Sequence, residues 1–323
     1  MNILISSAGR RVSLVRAFQK ELKTLYPEAK VFAADAKPEL SAACQVADDH
    51  FGLPRLDKPD YLDELMAKCK KEGIRLIVPT IDTELLLLAE NKHLLEDNGI
   101  TALVATPEFV KKCRDKREIH RFFESKGVAV AKEYDKKDYK LPMFIKPCDG
   151  SRSVDTYLIR TKEDLTDYHF ENEKLMFLEY LDHDFYEEFT CDLYFGKDNQ
   201  LKCAVPRKRL EVRDGEVYKA LTDNNTLVGY IKQHLGHIDG AVGCLTAQFF
   251  KHKNDDTKIY AIEINPRFGG GYPLSYLAGA NFPKWIIQEY FLMESTPDKF
   301  DCWEDKLLMI RYDDEILVHG YTG

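Results

Sequence analysis

The chain lacks three features that would direct it to a membrane, a nucleic acid or an oxidising compartment. No apolar run approaches the length of a membrane span, and the run at residues 3–5 is too short for a signal peptide. The 54 acidic residues outnumber the 46 lysines and arginines, and this net charge of -8 argues against binding to nucleic acids or anionic membranes. None of the eight cysteines forms a C-x-x-C pair or a zinc-site spacing. We therefore expect a cytoplasmic protein with reduced thiols and small-molecule partners.

Familiar catalytic signatures are also missing. The turn at residues 6–11 occupies the place of a dinucleotide-binding loop, and Asp35 follows the next strand where a ribose-binding acid would lie. The turn has one glycine, however, and no G-x-G-x-x-G spacing, which disfavours a nicotinamide-dependent dehydrogenase and favours a structural or substrate-facing turn. The phosphate-binding motif G-x-x-x-x-G-K-[ST] and a convincing Ser/His/Asp or Cys/His set are absent as well.

Short apolar runs and helical patterns alternate over the first third of the chain. Strands are predicted at residues 3–5, 31–34 and 76–78, with helices at residues 12–25 and 61–72 between them. Such alternation predicts βαβ units and a parallel, doubly wound sheet. Beyond it, hairpins replace crossovers, which predicts an α+β arrangement with a boundary near residue 110. At 323 residues and 44% hydrophobic content, the chain is long enough to bury two or three such units.

The segment Ala-Ile-Glu-Ile-Asn-Pro-Arg-Phe-Gly-Gly-Gly at residues 261–271 predicts a strand that carries metal ligands. Side chains alternate along a strand, so Glu263 and Asn265 share one face while the isoleucines at 262 and 264 point into a core. A carboxylate and an amide oxygen are ligands that suit Mg²⁺. Pro266 ends the pairing, and Arg267 follows where it can stabilise developing negative charge. The alternative is an amphipathic edge strand with solvated polar groups, and this segment alone favours neither.

A third oxygen donor lies on the preceding predicted strand. Residues 245–250 and 259–265 flank a polar loop and predict a hairpin. This hairpin places Gln248 on the same face as Glu263, either opposite it or one pair away. Three donors on one face favour the metal interpretation.

Two further segments carry groups suited to a nucleotide. A strand at residues 143–146 ends in Lys146, and the Gly/Ser turn that follows can face phosphate oxygens, although a plain turn is the alternative. An apolar strand at residues 175–181 runs into a polar segment. A hinge there can hydrogen-bond to an adenine edge, and Glu188 can accept hydrogen bonds from ribose hydroxyls.

Two charged clusters have competing interpretations. Asp82 and Glu84 follow the end of a predicted strand, where open α/β sheets bind ligands, but their place in the first turn of a helix favours capping. The predicted hairpin at residues 204–219 carries the basic run of residues 207–209. That charge either protects a sheet edge from aggregation or neutralises a triphosphate.

In their order along the chain, these segments resemble the ATP-grasp superfamily over nearly the whole length, and within it the carbamoyl-phosphate-synthase-like proteins. The subgroup likeness rests on Ser-Ala-Gly-Arg-Arg at residues 7–11, Pro-Thr-Ile-Asp at 79–82, Pro-Arg-Lys-Arg at 206–209 and the metal strand. The resemblance implies a combined α/β and α+β fold. Its expected parts are a doubly wound pre-ATP-grasp domain at residues 1–110, a small ATP-grasp lobe at 111–182 and a large lobe with the metal site at 183–323.

The same resemblance implies roles for individual residues. The nucleotide-binding set comprises two lysines, the phosphate loop, the adenine hinge and the ribose acid: Lys116, Lys146, Gly150, Ser151, Arg152, Ser153, Glu179, Tyr180, Leu181 and Glu188. The metal ligands are Gln248, Glu263 and Asn265. The catalytic set is Arg267, near the transferred phosphoryl group, with Arg207 and Lys219 as further basic residues.

The function implied by the resemblance is an ADP-forming ligase that joins a carboxylate to an amine. ATP phosphorylates the carboxylate to an acylphosphate, and the amine then displaces the phosphate. The expected cofactors are ATP and Mg²⁺, with two ions anticipated and Mn²⁺ as a substitute. The expected partners are a small carboxylate and a small amine, without nucleic acid or membrane, and a homodimer is compatible with this arrangement. The alternative is a nucleotide-binding regulatory or subunit protein without turnover, against which the intact set from Gln248 to Arg267 argues.

Overall fold

The computed structural model describes residues 1–150, 154–213 and 216–321. Within those ranges the chain folds into three β-sheets. Three residues of the predicted phosphate loop, Ser151, Arg152 and Ser153, lie outside the described residues, as does the predicted Asp-Gly turn at 214–215. In the described part of the chain, no helix has the length and apolar character needed to cross a bilayer.

The first sheet is parallel and confirms the predicted doubly wound arrangement. In the described residues its five strands lie in the order β3-β2-β1-β4-β5. The strands are β1 (Asn2–Ser6), β2 (Val31–Asp35), β3 (Asp49–Gly52), β4 (Ile74–Pro79) and β5 (Thr101–Ala102). The helices that connect them are α1 (Val12–Leu25), α2 (Ala42–Val46), α3 (Tyr61–Lys71), α4 (Asp82–Glu90) and α5 (Lys92–Asp97). The strand order reverses between β1 and β4, and the carboxyl ends of these two strands form the crevice where such sheets bind ligands.

A second, smaller sheet is antiparallel. Helices α6 (Pro107–Arg114) and α7 (Lys116–Ser125) and the two-residue strand β6 (Ala129–Val130) lead into it. Its strands lie in the order β7-β10-β8-β9. The elements of this part are β7 (Glu133–Tyr134), β8 (Met143–Pro147), β9 (Tyr157–Ile159), α8 (Asp167–Glu171) and β10 (Leu175–Glu179).

The third sheet is the largest, and β6 forms one of its edges although it precedes the small sheet in sequence. Its order is β16-β13-β12-β11-β14-β15-β6. The strands are β11 (Tyr186–Phe195), β12 (Leu201–Arg213), β13 (Glu216–Thr222), β14 (Gly243–His252), β15 (Ile259–Asn265) and β16 (Leu308–Ile310). The helices are α9 (Thr226–Leu235), α10 (Tyr272–Leu277) and α11 (Phe282–Phe291). Both predicted hairpins, β12 with β13 and β14 with β15, are confirmed.

The large sheet shares its hydrophobic cores with the first sheet, whereas the small sheet has a core of its own. Leu4 and Leu85 from the first unit join Phe189 and Phe249 of the large sheet in one cluster. The buried residues under the small sheet form a separate cluster of Met143, Ile145, Ile159, Leu175 and Phe177. The first and large units are therefore packed as one body, to which the small sheet is attached.

One face of the large sheet is polar along a row of residues in register across five strands. Thr222 pairs with Arg207, Arg207 with Thr190, Thr190 with Gln248, and Gln248 with Glu263. Residues directly opposite each other on neighbouring strands project to the same face. The alternate residues of these strands point into the shared core instead. The polar row is the floor on which the candidate site is built.

A buried ion pair holds the middle of this floor. Arg207 is fully buried, and its Nε and Nη2 donate to Asp192 Oδ2 and Oδ1 at 2.7 and 3.1 Å. Ser275 Oγ donates to Asp192 Oδ2 at 2.6 Å. A Cβ at Gly271 would lie 2.1 Å from Arg207 Nη1, so the guanidinium requires glycine in the turn that covers it. The pair thus fastens α10 and the Gly271 turn to the sheet.

Loss of one member of this pair is expected to destabilise the protein. Arg207→Met leaves the Asp192 carboxylate buried without its cation, which costs about 3–5 kcal/mol of unfolding free energy. The measurement is urea unfolding followed by circular dichroism. Arg55→Met is the control, because Arg55 and Asp57 form a pair that is mostly exposed, and it should leave the midpoint unchanged. An Arg207→Met midpoint equal to that of the wild type would show that the pair does not stabilise the fold.

Candidate active site

Lys116 and Glu263 face each other between the small and large sheets. Lys116 is the first residue of α7, whose N-terminus is capped by Asp115 accepting from the Arg117 N–H at 2.8 Å. Its Nζ donates to the Gly150 carbonyl and lies 3.7 Å from Glu263 Oε2. The predicted first lysine, the start of the phosphate loop and a predicted metal ligand are therefore brought together.

Lys146 lies in the same cleft on β8, where it is 9% exposed. Burial lowers the pKa of Lys146 to about 8; the charge of Glu263 opposes this shift, and that of Lys116 adds to it. Glu188 also acts to raise the pKa of Lys146, so both acids lie within electrostatic reach of the ammonium. A buried ammonium beside a second lysine is a site that an anionic ligand would stabilise.

The three predicted metal ligands are adjacent. Gln248 lies directly opposite Glu263, which is one of the two registers that the predicted hairpin allowed, and Asn265 is opposite Thr246. Gln248 Nε2 and Asn265 Nδ2 donate to Glu263 Oε1 at 3.1 and 2.9 Å. The expected inward orientation of Ile262 is wrong. A β-bulge shifts the register of β15 between the pairs Gln248–Glu263 and Phe249–Ala261, so that Ile262 has no residue opposite it on β14 and is only half-buried.

The donor chemistry of these residues fits a magnesium ion. One carboxylate and two side-chain amides are hard oxygen ligands, and Mg²⁺ is held by one or two carboxylates with water and phosphate oxygens completing its octahedron. In this structure the Glu263 carboxylate is surrounded by the N–H groups of the Gln248 and Asn265 amides and of Lys116. A half-turn of either amide would present its oxygen instead. Among the residues that the structure describes, no three His, Cys, Asp or Glu side chains form an alternative metal cluster.

The predicted hinge connects the small sheet to the large one. Glu179 is the last residue of β10, and its N–H donates to the Lys132 carbonyl at 2.8 Å. Tyr180 and the buried Leu181 follow in the connection to β11. Glu188 on β11 pairs with Arg209 and lines a polar cleft of about 370 Å³. The predicted hinge thus begins the connection, and the predicted ribose acid lies in the strand that follows it.

Arg267 is held by the first unit of the chain. Its Nε and Nη2 donate to Asp82 Oδ1 and Oδ2 at 3.1 and 2.6 Å, across 185 residues of sequence. Asp82 and Glu84 lie in the first turn of α4, as predicted, but neither caps the helix, because its N-cap is Ile81 and no side chain makes a capping hydrogen bond. Glu84 is fully buried instead, and its carboxylate accepts from the Ser7 and Tyr61 hydroxyls at 2.8 and 2.7 Å.

The turn after β1 uses its polar groups internally. Asp35 Oδ2 accepts from the Gly9 N–H at 3.0 Å, and the Ser7 hydroxyl is occupied by Glu84. Burial raises the pKa of Glu84 above its ordinary value, and the hydroxyl donors partly oppose this shift. These contacts agree with the structural interpretation of the turn.

Two predicted catalytic residues are engaged by partners other than the lysines and the metal ligands. Arg207 is enclosed behind the Gly271 turn, as described above, and Lys219 on β13 is half-exposed and pairs with Glu211 Oε2 at 2.6 Å. Among the described residues, no contact links Lys219 to the lysines or the metal set. Their catalytic roles stay predictions.

Sequence reasoning missed His120 on α7. Its Nε2 lies 3.3 Å from the Ile262 carbonyl at the bulge, and the side chain is 6% exposed. Burial, with the charge of Lys146 next, lowers the pKa of His120 to about 4, so the ring is neutral at physiological pH. A lone histidine in an amphipathic helix carries no signal for this position.

Two family models match parts of the chain. The family described as "PylC-like, N-terminal domain" matches residues 3–103, and the one described as "ATP-grasp in the biosynthetic pathway with Ter operon" matches residues 171–306. No curated protein matches the chain by sequence.

Solved structures share the fold at low sequence identity. The biotin carboxylase domain of Hydrogenobacter thermophilus 2-oxoglutarate carboxylase, in complex with MgADP and bicarbonate, aligns with a TM-score of 0.71 and 16% identity over 95% of this chain and 73% of its own. An L-amino acid ligase from Bacillus licheniformis aligns with a TM-score of 0.66 and 15% identity over 92% of this chain and 75% of its own.

Rhizobium etli pyruvate carboxylase aligns with a TM-score of 0.65 and 16% identity over 87% of this chain, which spans only 27% of that longer protein. These likenesses agree with the predicted doubly wound domain followed by two ATP-grasp lobes. The ATP-grasp family model thus describes residues 171–306, and the likeness to these solved structures shows that the chain shares their fold.

Proposed function

We propose that the protein is an ATP- and Mg²⁺-dependent ligase that joins a carboxylate to an amine through an acylphosphate. The observation that carries this proposal is the meeting of two lysines with the Glu263 carboxylate of the large sheet: Lys116 at the start of α7 and Lys146 on the small sheet. Cations for phosphate oxygens and an oxygen cluster for a metal thus lie in one cleft, as phosphoryl transfer requires.

The physical problem in this reaction is to bring two anions together. Lys116 and Lys146 would bind phosphate oxygens of ATP as point charges. Gln248, Glu263 and Asn265 would hold the magnesium, which when bound neutralises charge on the phosphates. Arg267 would stabilise the negative charge on the transferring phosphoryl group.

The proposed chemistry needs no nucleophilic side chain. A carboxylate oxygen of the substrate attacks the γ-phosphorus, the bond to the β-phosphate oxygen breaks and ADP leaves. The amine then attacks the acyl carbon, inorganic phosphate leaves with one former carboxylate oxygen, and the nitrogen loses a proton. The separate core of the small sheet supports its movement as a unit over the cleft, which would exclude water from the acylphosphate.

The lowered pKa of Lys146 predicts a pH-dependent affinity for ATP. The ammonium is charged below about pH 8 and loses its proton above it, so the phosphate contact is retained at pH 7.5 and lost as pH rises. We expect wild-type affinity for MgATP to fall about tenfold from pH 7.5 to 9.5, measured by calorimetric titration. Lys146→Arg, which stays charged throughout, should remove most of this dependence. A wild-type affinity that is the same at both pH values would contradict the assignment of Lys146.

The ligase reaction is tested by isotope transfer. Pools of carboxylates labelled with ¹⁸O are incubated with pools of amines, ATP and Mg²⁺, and the released phosphate is analysed by mass spectrometry. We expect ADP release that needs both pools and one ¹⁸O in the phosphate. Glu263→Gln should lower this turnover at least about 100-fold while leaving the unfolding temperature close to that of the wild type.

Glu90→Gln serves as the control. Glu90 is the last residue of α4, and it forms an exposed ion pair with Lys111 of α6 rather than with a residue of the candidate site. The variant should turn over like the wild type. Unchanged turnover in Glu263→Gln would refute the metal assignment. ATP binding without ADP release for any pair would favour the nucleotide-binding alternative.

A further inference from the structure

The ion pair between Asp82 and Arg267 joins the first sheet to the end of the strand that carries the metal ligands. Both side chains are about five-sixths enclosed, at 17% and 16% exposure. The contact is bidentate, with Nε on one carboxylate oxygen and Nη2 on the other. Such a pair fixes the plane of a guanidinium more strictly than a single hydrogen bond does.

The backbone beneath Asp82 is held in place. Asp82 is the first residue of α4, two residues after the fully buried Thr80. The Thr80 hydroxyl contacts the Ser7 and Ser6 carbonyls at 2.7 and 3.1 Å, which ties the end of β4 to the end of β1. The carboxylate therefore projects from a rigid base at the strand-order reversal of the first sheet.

The backbone of Arg267 is fixed from the other side. The Thr246 hydroxyl donates to the Arg267 carbonyl at 3.0 Å, and Thr246 pairs with Asn265 in the sheet. A Cβ at Gly269 would lie 2.8 Å from Thr246 Oγ1, so the turn packs closely against this threonine. Both ends of the ion pair are thus anchored independently of it.

The ion pair with Asp82 uses only part of the hydrogen-bond donors of Arg267. A guanidinium has five N–H groups. Asp82 accepts from two, and Nη1 donates to the Phe268 carbonyl at 3.2 Å. Among the described residues, these contacts account for three of the five donors.

The ion pair lies at the end of the strand that carries the predicted metal ligands. Arg267 follows Asn265, the last residue of β15, by two positions, and its N–H donates to the Asn265 carbonyl at 2.8 Å. The guanidinium is therefore held next to the metal-ligand cluster.

We propose that Asp82 is a positioning residue, which orients the guanidinium of Arg267 toward the phosphoryl group without touching either substrate. This inference rests on the proposed ligase function. It assigns to the first unit a part in catalysis that acts through Arg267. Loss of the carboxylate then impairs the step that Arg267 assists and spares the binding of ATP.

The test compares kcat and KM in Asp82→Asn, which keeps the size of the side chain and removes its charge. We expect kcat to fall about 10- to 100-fold, as for partners that orient a functional group, with the KM values for ATP and for the amine nearly unchanged. Asp63→Asn, an exposed acid of α3 in the same unit, is the matched control and should behave like the wild type. An unchanged kcat in Asp82→Asn overturns the proposal.

A double-mutant cycle separates positioning from a direct role. If Asp82 acts through Arg267, then Asp82→Ala should have no further effect on kcat in an Arg267→Ala background. Additive losses, or a raised KM for the amine in Asp82→Asn, would show that Asp82 binds substrate directly and overturn the proposal. If Asp82→Asn lowers the unfolding temperature, Asp82→Glu is compared, since it keeps the carboxylate. Its kcat should lie between those of the wild type and Asp82→Asn, and a kcat no higher than that of Asp82→Asn would count against positioning.

These results distinguish a failure of the role assigned to Asp82 from a failure of the proposed ligase function. An active wild type with an unaffected Asp82→Asn variant overturns only the role of Asp82. A wild type that releases no ADP with any pair of substrates overturns the ligase function and this role together.

Discussion

The register between β14 and β15 is the constraint on which the candidate site depends. Because Gln248 lies opposite Glu263, both side chains and Asn265 share one face of the large sheet. A slip of one residue would turn this set into the core and expose Ile264. The same register extends through Thr190 and Arg207 to Thr222, so the polar floor depends on the pairing of five strands.

The second constraint is the electrostatic cost of burying a lysine beside a second lysine. Lys146 is almost fully buried, and its lowered pKa shows that Glu263 and Glu188 only partly offset the burial and the nearby Lys116. A cleft with unrelieved positive charge is unfavourable when empty and favourable around phosphates. The small sheet, with its separate core, carries Lys146, while the metal ligands lie on the body formed by the two other sheets. Binding of a nucleotide would therefore bring the two bodies together through charge.

Periodicity predicted most of the fold, because it reports local burial. Helix α1 has the predicted bounds, and the hairpin with Gln248 opposite Glu263 is confirmed. Strand β3 was missed, since its exposed edge carries no apolar run. The first-turn position of Asp82 is confirmed, but its contact with Arg267 was not predicted, because that partner lies 185 residues away. The inward orientation at position 262 was wrong because of a β-bulge. Neither feature leaves a local pattern in the sequence. The roles of the site residues came from family resemblance and stay predictions, although the lysines, Glu263 and its amide neighbours do converge.

The central claim is that the cleft between the small and large sheets binds ATP together with Mg²⁺. Calorimetric titration of the full chain with ATP, in the presence of Mg²⁺ and again in EDTA, measures this most directly. The account predicts saturable binding of one ATP per chain with Mg²⁺, clearly weakened in EDTA and weakened in the same way by Glu263→Gln with Mg²⁺ present. Absence of ATP binding, or an affinity that neither EDTA nor Glu263→Gln alters, would contradict it.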